Sequence, residues 1–135
     1  MEYLFLLYAD PNETRELTKQ ELEQRTALHH SIISDARAKG IFRGASPLRP
    51  ASTGIVVRPE GGQVKISDGP FAETKEVVGG YYIIGCADTE EAKYWASRLA
   101  QTTCATCVEA RALAVMSETF QRAARGEPAL VAVHA

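Results

Sequence analysis

The stretch EYLFLLYA, residues 2–9, decides the fold because it is apolar on both of its faces. In an extended chain, alternate side chains point to opposite sides. The two sets are Tyr3, Phe5 and Leu7 on one side, and Leu4, Leu6 and Tyr8 on the other. A strand that must be covered on both sides belongs in the interior of a sheet. The sequence therefore predicts a central strand at residues 2–9.

Capping residues mark two helices. Thr18 and Glu21 have the spacing of a capping box, and Gly40 ends the helix that they begin. The predicted apolar side of this helix consists of Leu22, Leu28, Ile32, Ile33 and Ala36. Asp88 and Glu91 cap a second helix, which carries its own apolar stripe at helical spacing.

The remaining strands are predicted as apolar or strand-like segments bounded by turn residues. They are residues 41–48, 53–59, 63–67, 77–87 and 107–115. The second and third of these segments flank Glu60-Gly61-Gly62 and are predicted to form a hairpin. Residues 116–135 are predicted to begin as a short helix and to end as a weakly specified tail.

Without the short, strand-like segment at residues 41–48, the order β-α-β-β-β-α-β has one strand more than the split βαβ unit of ferredoxin-like domains. It predicts an α+β sandwich, an antiparallel sheet with two helices on one face. The other face would then expose an apolar surface larger than soluble monomers tolerate. A homodimer through the sheet faces is the simplest remedy. The alternative is that the tail at residues 116–135 folds over this face.

Composition excludes several classes of partner. A chain of 135 residues with 45% hydrophobic and 24% charged residues is typical of one globular domain. The net charge of −2 provides no cationic surface for direct nucleic-acid binding. No apolar stretch reaches the ~18 residues of a membrane helix, and the N-terminus lacks the charged lead of a secretory signal. We therefore expect a cytoplasmic protein without membrane contact, whose three cysteines are thiols.

The loop SDGPFAETKE, residues 67–76, has two interpretations. As a turn, Asp68 caps its own corner and Phe71 fills the core, which requires no function. As a site, an ionised Asp68 at a strand end faces a cleft, with Lys75 and Glu76 nearby. The residues alone leave both interpretations open.

Two adjacent histidines lie within the first predicted helix. His29 falls on the apolar side and His30 on its flank. A histidine on an apolar stripe is usually a satisfied core residue, but it is also the side chain best suited to proton transfer near neutral pH. Asp35 lies too far round the helix to orient His29. A carboxylate partner must therefore come from elsewhere, and Asp10 and Asp68 are the candidates.

Neither the cysteines nor the glycines predict a cofactor. Cys104 and Cys107 form a CxxC pair, but a second pair of zinc ligands is missing, and the motif precedes the last strand instead of opening a helix. We therefore interpret these two cysteines as structural thiols and not as a redox pair or a metal-binding pair. Gly79-Gly80 matches no phosphate-binding motif and is predicted to mark a bulge.

Four segments resemble the YCII-related family, in its DGPF-domain branch. They are YLFLLYADP, SDGPFAETKEVVGGYYII, ADTEEAKYWASRLA and VEARAL. The resemblance covers residues 1–115, so that residues 116–135 form a C-terminal extension. It implies a ferredoxin-like domain that dimerises in the manner of dimeric α+β barrels.

The resemblance also implies a small-molecule protein, with acid–base chemistry of the lyase or isomerase kind as one possibility. Some family members are proposed to use a His–Asp pair, with the histidine eleven residues before the glycine that ends the first helix. That histidine is His29 here, and Ala38 stands where some relatives place the carboxylate, so that Asp68 is the natural substitute. The residues assigned to substrate binding are Lys75, which would steer an anionic substrate, Glu76 and Asp10.

A different class of function follows from the same resemblance. DGPF-type proteins are associated with extracytoplasmic-function sigma factors through gene pairing and fusion. A non-catalytic regulatory module that binds a metabolite or a sigma factor is therefore the alternative to an enzyme.

Overall fold

The computed structural model describes residues 1–12, 16–69, 75–102 and 105–129. Six strands and three α-helices lie within these ranges, together with one turn of 3-10 helix at Ala51–Thr53. In chain order the elements are β1 (Glu2–Ala9), α1 (Lys19–Ala38), β2 (Phe42–Pro47), β3 (Ile55–Glu60), β4 (Gln63–Asp68), β5 (Val77–Gly85), α2 (Thr89–Ala100), β6 (Cys107–Ala112) and α3 (Glu118–Ala124). Four strands separate α1 from α2, not the predicted three, because the short segment Phe42–Pro47 is a full strand, β2.

The main sheet has the strand order β2-β5-β1-β6, and every neighbouring pair is antiparallel. Without the hairpin, this order is consistent with a ferredoxin-like fold. β1 pairs with β5 on one side and with β6 on the other, which confirms the central strand predicted from EYLFLLYA. The predicted α+β class with an antiparallel sheet is confirmed as well.

The core lies between the helices and one face of this sheet. β1 contributes the side chains at positions 3, 5 and 7, and β5 contributes those at 82 and 84. The helices cover them with Ile32, Ala36, Ala92, Trp95 and Leu99. The alternation of β1 therefore resolves into a buried set and an outward set, as its pattern predicts.

Helix α1 begins and ends where its capping residues predict. The Thr18 hydroxyl accepts a hydrogen bond from the Glu21 amide at 3.1 Å, and Gly40 has a φ of 71° just beyond the last turn. The predicted apolar side is only partly correct, because Leu22 and Leu28 are 50% and 41% exposed. Both leucines lie outside the core cluster, so the apolar side of α1 is buried only in its second half, at Ile32, Ile33 and Ala36.

A bulge at the start of β5 confirms the interpretation of Gly79-Gly80. The pairing of β1 with β5 shifts register between Leu7 and Tyr8, opposite Gly79. A Cβ atom on Gly80 would lie 3.1 Å from the carbonyl oxygen of Ser46 on β2. The two glycines thus let three strands approach closely at the end of the sheet where the cavity opens.

Strands β3 and β4 form the predicted hairpin as a sheet of their own. Gly61 and Gly62 have φ angles of 55° and 81°, the positive values that a two-residue type I′ turn requires. One side of the hairpin is apolar and exposed, formed by Ile55, Val57, Val64 and Ile66.

The outer face of the main sheet is the side away from α1 and α2. Its partly exposed apolar side chains are Leu4, Leu6, Tyr8, Tyr81 and Ile83, and β6 adds Glu109 and Arg111. Helix α3 contributes no buried residue, and Phe120 is 67% exposed. The described part of the C-terminal extension, residues 116–129, therefore adds nothing to the core. No helix in the described ranges has the length and apolarity needed to cross a membrane.

Candidate functional site

A cavity of about 670 Å³ lies between the first half of α1 and the sheet end formed by β1, β2 and β5. Its wall is formed by Leu7, Ala9, Arg25, Thr26, His29, His30 and Ile33, and by residues 45–47 and 79–82. Thr26 and His30 are exposed, so the cavity can be reached from solvent. Its volume falls within the ~300–1,000 Å³ typical of small-molecule sites.

The position of the cavity follows from helix spacing and from the bulge. Arg25, His29 and Ile33 recur at intervals of four residues, so they lie on one side of α1. Ile33 packs against the core, while Arg25 and His29 face the cavity. Glycine at positions 79 and 80 leaves that end of the sheet without side chains to fill the space below α1.

His29 is held by a tyrosine of the sheet. Its Nδ1 atom lies 2.6 Å from the Tyr82 hydroxyl oxygen, and the two rings are stacked with centroids 5.8 Å apart and planes 18° apart. Tyr82 is only 5% exposed, so its ring is fixed by the core around it. A hydrogen bond of this length fixes the orientation of the imidazole relative to the cavity.

The direction of this hydrogen bond sets the chemistry of the other ring nitrogen. If the Tyr82 hydroxyl donates to Nδ1, a neutral His29 carries its proton on Nε2 and can donate a hydrogen bond to a ligand there. If Nδ1–H donates to the hydroxyl oxygen, Nε2 is the basic nitrogen. In this second arrangement Nε2 can take a proton from a ligand and the resulting imidazolium can return it, which is general acid–base chemistry.

The carboxylate residues predicted from the sequence occupy different places. Asp35 is paired with Arg98 at 2.7 Å, in agreement with the prediction that it does not serve His29. Asp68 is the last residue of β4 and is exposed, and it is not one of the described residues that line the cavity. Asp10 follows the cavity residue Ala9, and its Oδ1 accepts a hydrogen bond from the Asn12 amide at 2.8 Å.

Lys75 and Glu76 lie just before β5 and are exposed. Because Val77 pairs with Ala9, Glu76 and Asp10 flank the same pair of residues at one end of the sheet. The structure thus brings three of the predicted residues, Asp10, Lys75 and Glu76, to the sheet end at which the cavity lies. Phe71, whose side chain was predicted to fill the core, lies outside the described residues.

The thiol of Cys107 also lies at this sheet end. Its Sγ atom donates a hydrogen bond to Glu76 Oε2 at 3.2 Å, and this bond, with the nearby negative charge, raises the pKa of Cys107. Cys86 is buried, and burial raises its pKa to about 11. Cys104, the other half of the CxxC motif, lies outside the described residues. In the described ranges no three His, Cys, Asp or Glu side chains are arranged to hold a metal ion.

We expect Glu76→Gln to speed the alkylation of Cys107 by iodoacetamide at about pH 8 severalfold. The substitution removes the charge and weakens the hydrogen bond that keeps the thiol protonated, so the pKa falls and the reactive thiolate becomes more abundant. Peptide mass spectrometry at Cys107 measures the rate, with buried Cys86 as the slow internal reference. Glu60→Gln, at the far end of the hairpin, is the matched control. Equal rates in wild type and Glu76→Gln would contradict the effect assigned to Glu76.

Two residues of this site were not found by sequence reasoning. Tyr82 lies on the buried face of β5, and a buried tyrosine hydroxyl usually requires a hydrogen-bond partner, which was the available signal. Arg25 precedes His29 by four residues on α1, so helix spacing alone would have placed it beside the histidine.

The fold and the site together define a ferredoxin-like α+β domain with a histidine-containing cavity between its first helix and its sheet. The model of the YCII-related domain matches residues 1–117, and the chain belongs to this family. It is similar to the uncharacterised protein R00369 of Rhizobium meliloti (strain 1021), with 32% identity over 120 residues. That match covers 85% of this chain and 94% of the relative.

Proposed function

We propose that this protein binds a small molecule in the cavity beneath α1 and that His29 is the general acid–base of that site. The observation that carries the proposal is the 2.6 Å contact between His29 Nδ1 and the Tyr82 hydroxyl, in a wall that is otherwise mostly apolar. We further assign the chain to the DGPF branch of its family, because residues 68–71 read Asp-Gly-Pro-Phe.

An oriented imidazole in a largely apolar cavity supports proton transfer to or from a bound ligand. A general acid–base group that is correctly placed typically contributes about 10²- to 10⁴-fold to a reaction rate. Tyr82 would fix the tautomer of His29 and hold its ring toward the ligand. The reactions that need only such a group are proton abstraction, isomerisation and elimination, and we propose a lyase or isomerase type of activity that requires no cofactor.

The loop that carries the DGPF residues has a supporting part in this proposal. Asp68 would orient His29 or share its proton, and Lys75 would steer an anionic substrate toward the cavity. Glu76 and Asp10 would contact the substrate at the entrance. The position of the loop supports these roles, because the loop leads into β5, and residues 79–82 of β5 form part of the cavity wall.

A thermal-shift screen against a metabolite library tests the binding proposal. Wild type is compared with His29→Ala and Asp68→Ala, and His30→Ala serves as a control because His30 also lines the cavity but lies on its exposed flank. Ligand at a hundred times its dissociation constant stabilises the folded state by about 2.7 kcal/mol. We expect a compound whose shift is lost in His29→Ala and retained in His30→Ala.

The Asp68→Ala variant separates the two interpretations of the loop. A ligand-induced shift lost in Asp68→Ala supports a role in the site, whereas an unchanged ligand shift with a lower baseline stability makes Asp68 a turn residue. If no compound stabilises wild type, the alternative of a regulatory module is preferred. Co-purification of an extracytoplasmic-function sigma factor with the tagged wild-type chain would then support that alternative.

We also propose that the chain forms a homodimer through the outer face of its sheet. Leu6 and Ile83 are partly exposed there, in the middle of an apolar surface. Glu109 and Arg111 lie two residues apart on β6 on the same face, beside the leucines of β1. A two-fold axis through this face can bring these unlike charges together while it buries the apolar centre. A second copy of the chain therefore fits both the hydrophobicity and the charge of the surface.

Light scattering should give wild type a mass twice the chain mass of 14.7 kDa. We expect Ile83→Glu to be monomeric at roughly ten micromolar, because a buried unpaired carboxylate opposes association strongly. Ser34→Glu adds the same charge on the exposed side of α1 and should leave the dimer intact. A monomeric wild type, or a dimer that survives Ile83→Glu, would contradict this interface.

A further inference from the structure

The described part of the cavity wall contains one side chain with a fixed charge at neutral pH. Among the described residues that line the cavity, this residue is Arg25, and the others are apolar, hydroxyl-bearing, glycine or histidine. Arg25 is partly buried, and a charge in the wall of an apolar cavity is less screened by solvent than a charge on an open surface. A positive charge in an apolar wall favours an anionic ligand.

Arg25 lies one helical turn before His29 on the same side of α1. Side chains four residues apart on a helix have Cβ atoms about 5–6 Å apart. A ligand anchored at Arg25 would therefore extend along the cavity with its next atoms beside the His29 ring. Lys75 is exposed and is not part of the wall, which suits steering and not direct recognition.

The remainder of the wall indicates the rest of the ligand. Leu7, Ile33 and Pro47 provide aliphatic surface, and Tyr82 provides an aromatic ring. Burying an apolar group against such a wall stabilises binding by about 25 cal/mol for each Å² removed from water. A ligand with a branched or aromatic body gains the most from this surface.

We propose that the ligand is a small carboxylic acid with an apolar body, and that Arg25 binds its carboxylate. This inference rests on the proposed small-molecule function of the cavity. Guanidinium binds carboxylate through two parallel hydrogen bonds, a geometry that a lysine cannot offer. Its five N–H donors allow Arg25 to keep its contacts within the protein and to bind a ligand as well. Arg25 is thus the residue that determines ligand class.

The test compares two probes of nearly equal shape, 3-phenylpropanoate and its neutral amide. Dissociation constants are measured by NMR titration at about pH 7.5, where the acid is fully ionised. A charge-assisted hydrogen bond predicts that wild type binds the carboxylate about 10- to 100-fold more tightly than the amide. Arg25→Gln should abolish this preference and leave amide binding within about twofold of wild type, and Arg25→Lys should restore part of it.

Two further controls keep the result specific. Arg37→Gln is the same substitution at an exposed position in the last turn of α1, outside the cavity wall, and should leave the preference unchanged. Loss of the preference in Arg37→Gln but not in Arg25→Gln would overturn the inference. Thermal unfolding of Arg25→Gln without ligand confirms that the variant is folded. Equal binding of both probes by wild type would overturn the carboxylate inference while the small-molecule function stands. If wild type binds neither probe, the carboxylate inference is overturned. The proposed small-molecule function is tested separately by the metabolite library screen.

Discussion

His29→Asn should slow proton exchange on the cavity ligand by about 10²- to 10⁴-fold while the ligand still binds. Asparagine can keep a hydrogen bond to the Tyr82 hydroxyl, which lies 2.6 Å from His29 Nδ1, but it cannot accept and release a proton near neutral pH. The measurement is NMR in D₂O, in which loss of the ligand C–H signal reports proton abstraction. Binding is measured on the same samples from ligand line broadening.

Tyr82→Phe is the matched comparison for this prediction. It removes the hydroxyl that orients the imidazole and leaves the ring stacked on His29. We expect a smaller loss of rate than in His29→Asn, because the imidazole remains and only the hydrogen bond that orients it is lost. If wild type and His29→Asn exchange the proton at the same rate, His29 is not the acid–base of the site. If wild type shows no exchange on any bound ligand, the cavity is a binding site without this chemistry.

Trp95→Ala should lower the free energy of unfolding by about 3–5 kcal/mol. Trp95 is fully buried at the centre of the core, on the face of α2 that packs against the sheet. Small domains are stable by only about 5–15 kcal/mol, so this variant should be close to unfolding at physiological temperature. Urea denaturation followed by circular dichroism is the measurement, because the variant has lost the single tryptophan of the chain.

Two further substitutions give this prediction its controls. Trp95→Phe should lower the free energy of unfolding by less, about 1–2 kcal/mol, because most of the buried ring area remains. The substitution also breaks no hydrogen bond, because the indole nitrogen has no hydrogen-bond partner in the described part of the chain. Tyr94→Ala removes a 50% exposed ring whose centroid lies 5.1 Å from that of Trp95 in an edge-on contact. It should lower the free energy of unfolding by less than either Trp95 variant. A loss below about 1 kcal/mol in Trp95→Ala would show that the core relaxes around the missing ring.

Local signals were sufficient for most of the secondary structure. Thr18 and Asp88 cap the two main helices with the hydrogen bonds that their spacing predicts, at 3.1 and 2.8 Å. The glycine pair at residues 61–62 forms the predicted hairpin turn. These features depend on neighbours within a few residues, so the sequence contains all of the information.

Two predictions failed because they depend on contacts between elements that are distant in sequence. Leu22 and Leu28 belong to an apolar stripe, yet they are exposed because no layer of the described part of the chain packs over them. The count of strands between the helices was also wrong, because 42–47 is a short segment whose strand identity depends on pairing with β5. Periodicity shows which side of an element is apolar, but not whether another layer reaches it.

By itself, the sequence determined the two helices, the central strand β1, the hairpin, the family and the candidate residue His29. Only the tertiary structure decided that Tyr82, 53 residues away in sequence, holds His29, and that Arg25 shares its cavity. It also placed Asp68 at the end of a hairpin that forms its own sheet. The physical reason is that caps, turns and periodicity act over one or two helical turns, whereas a site is assembled from strands and helices brought together by packing. No local pattern encodes those distances, because they are set by the register of β1 with β5 and by the layer that α1 forms above them.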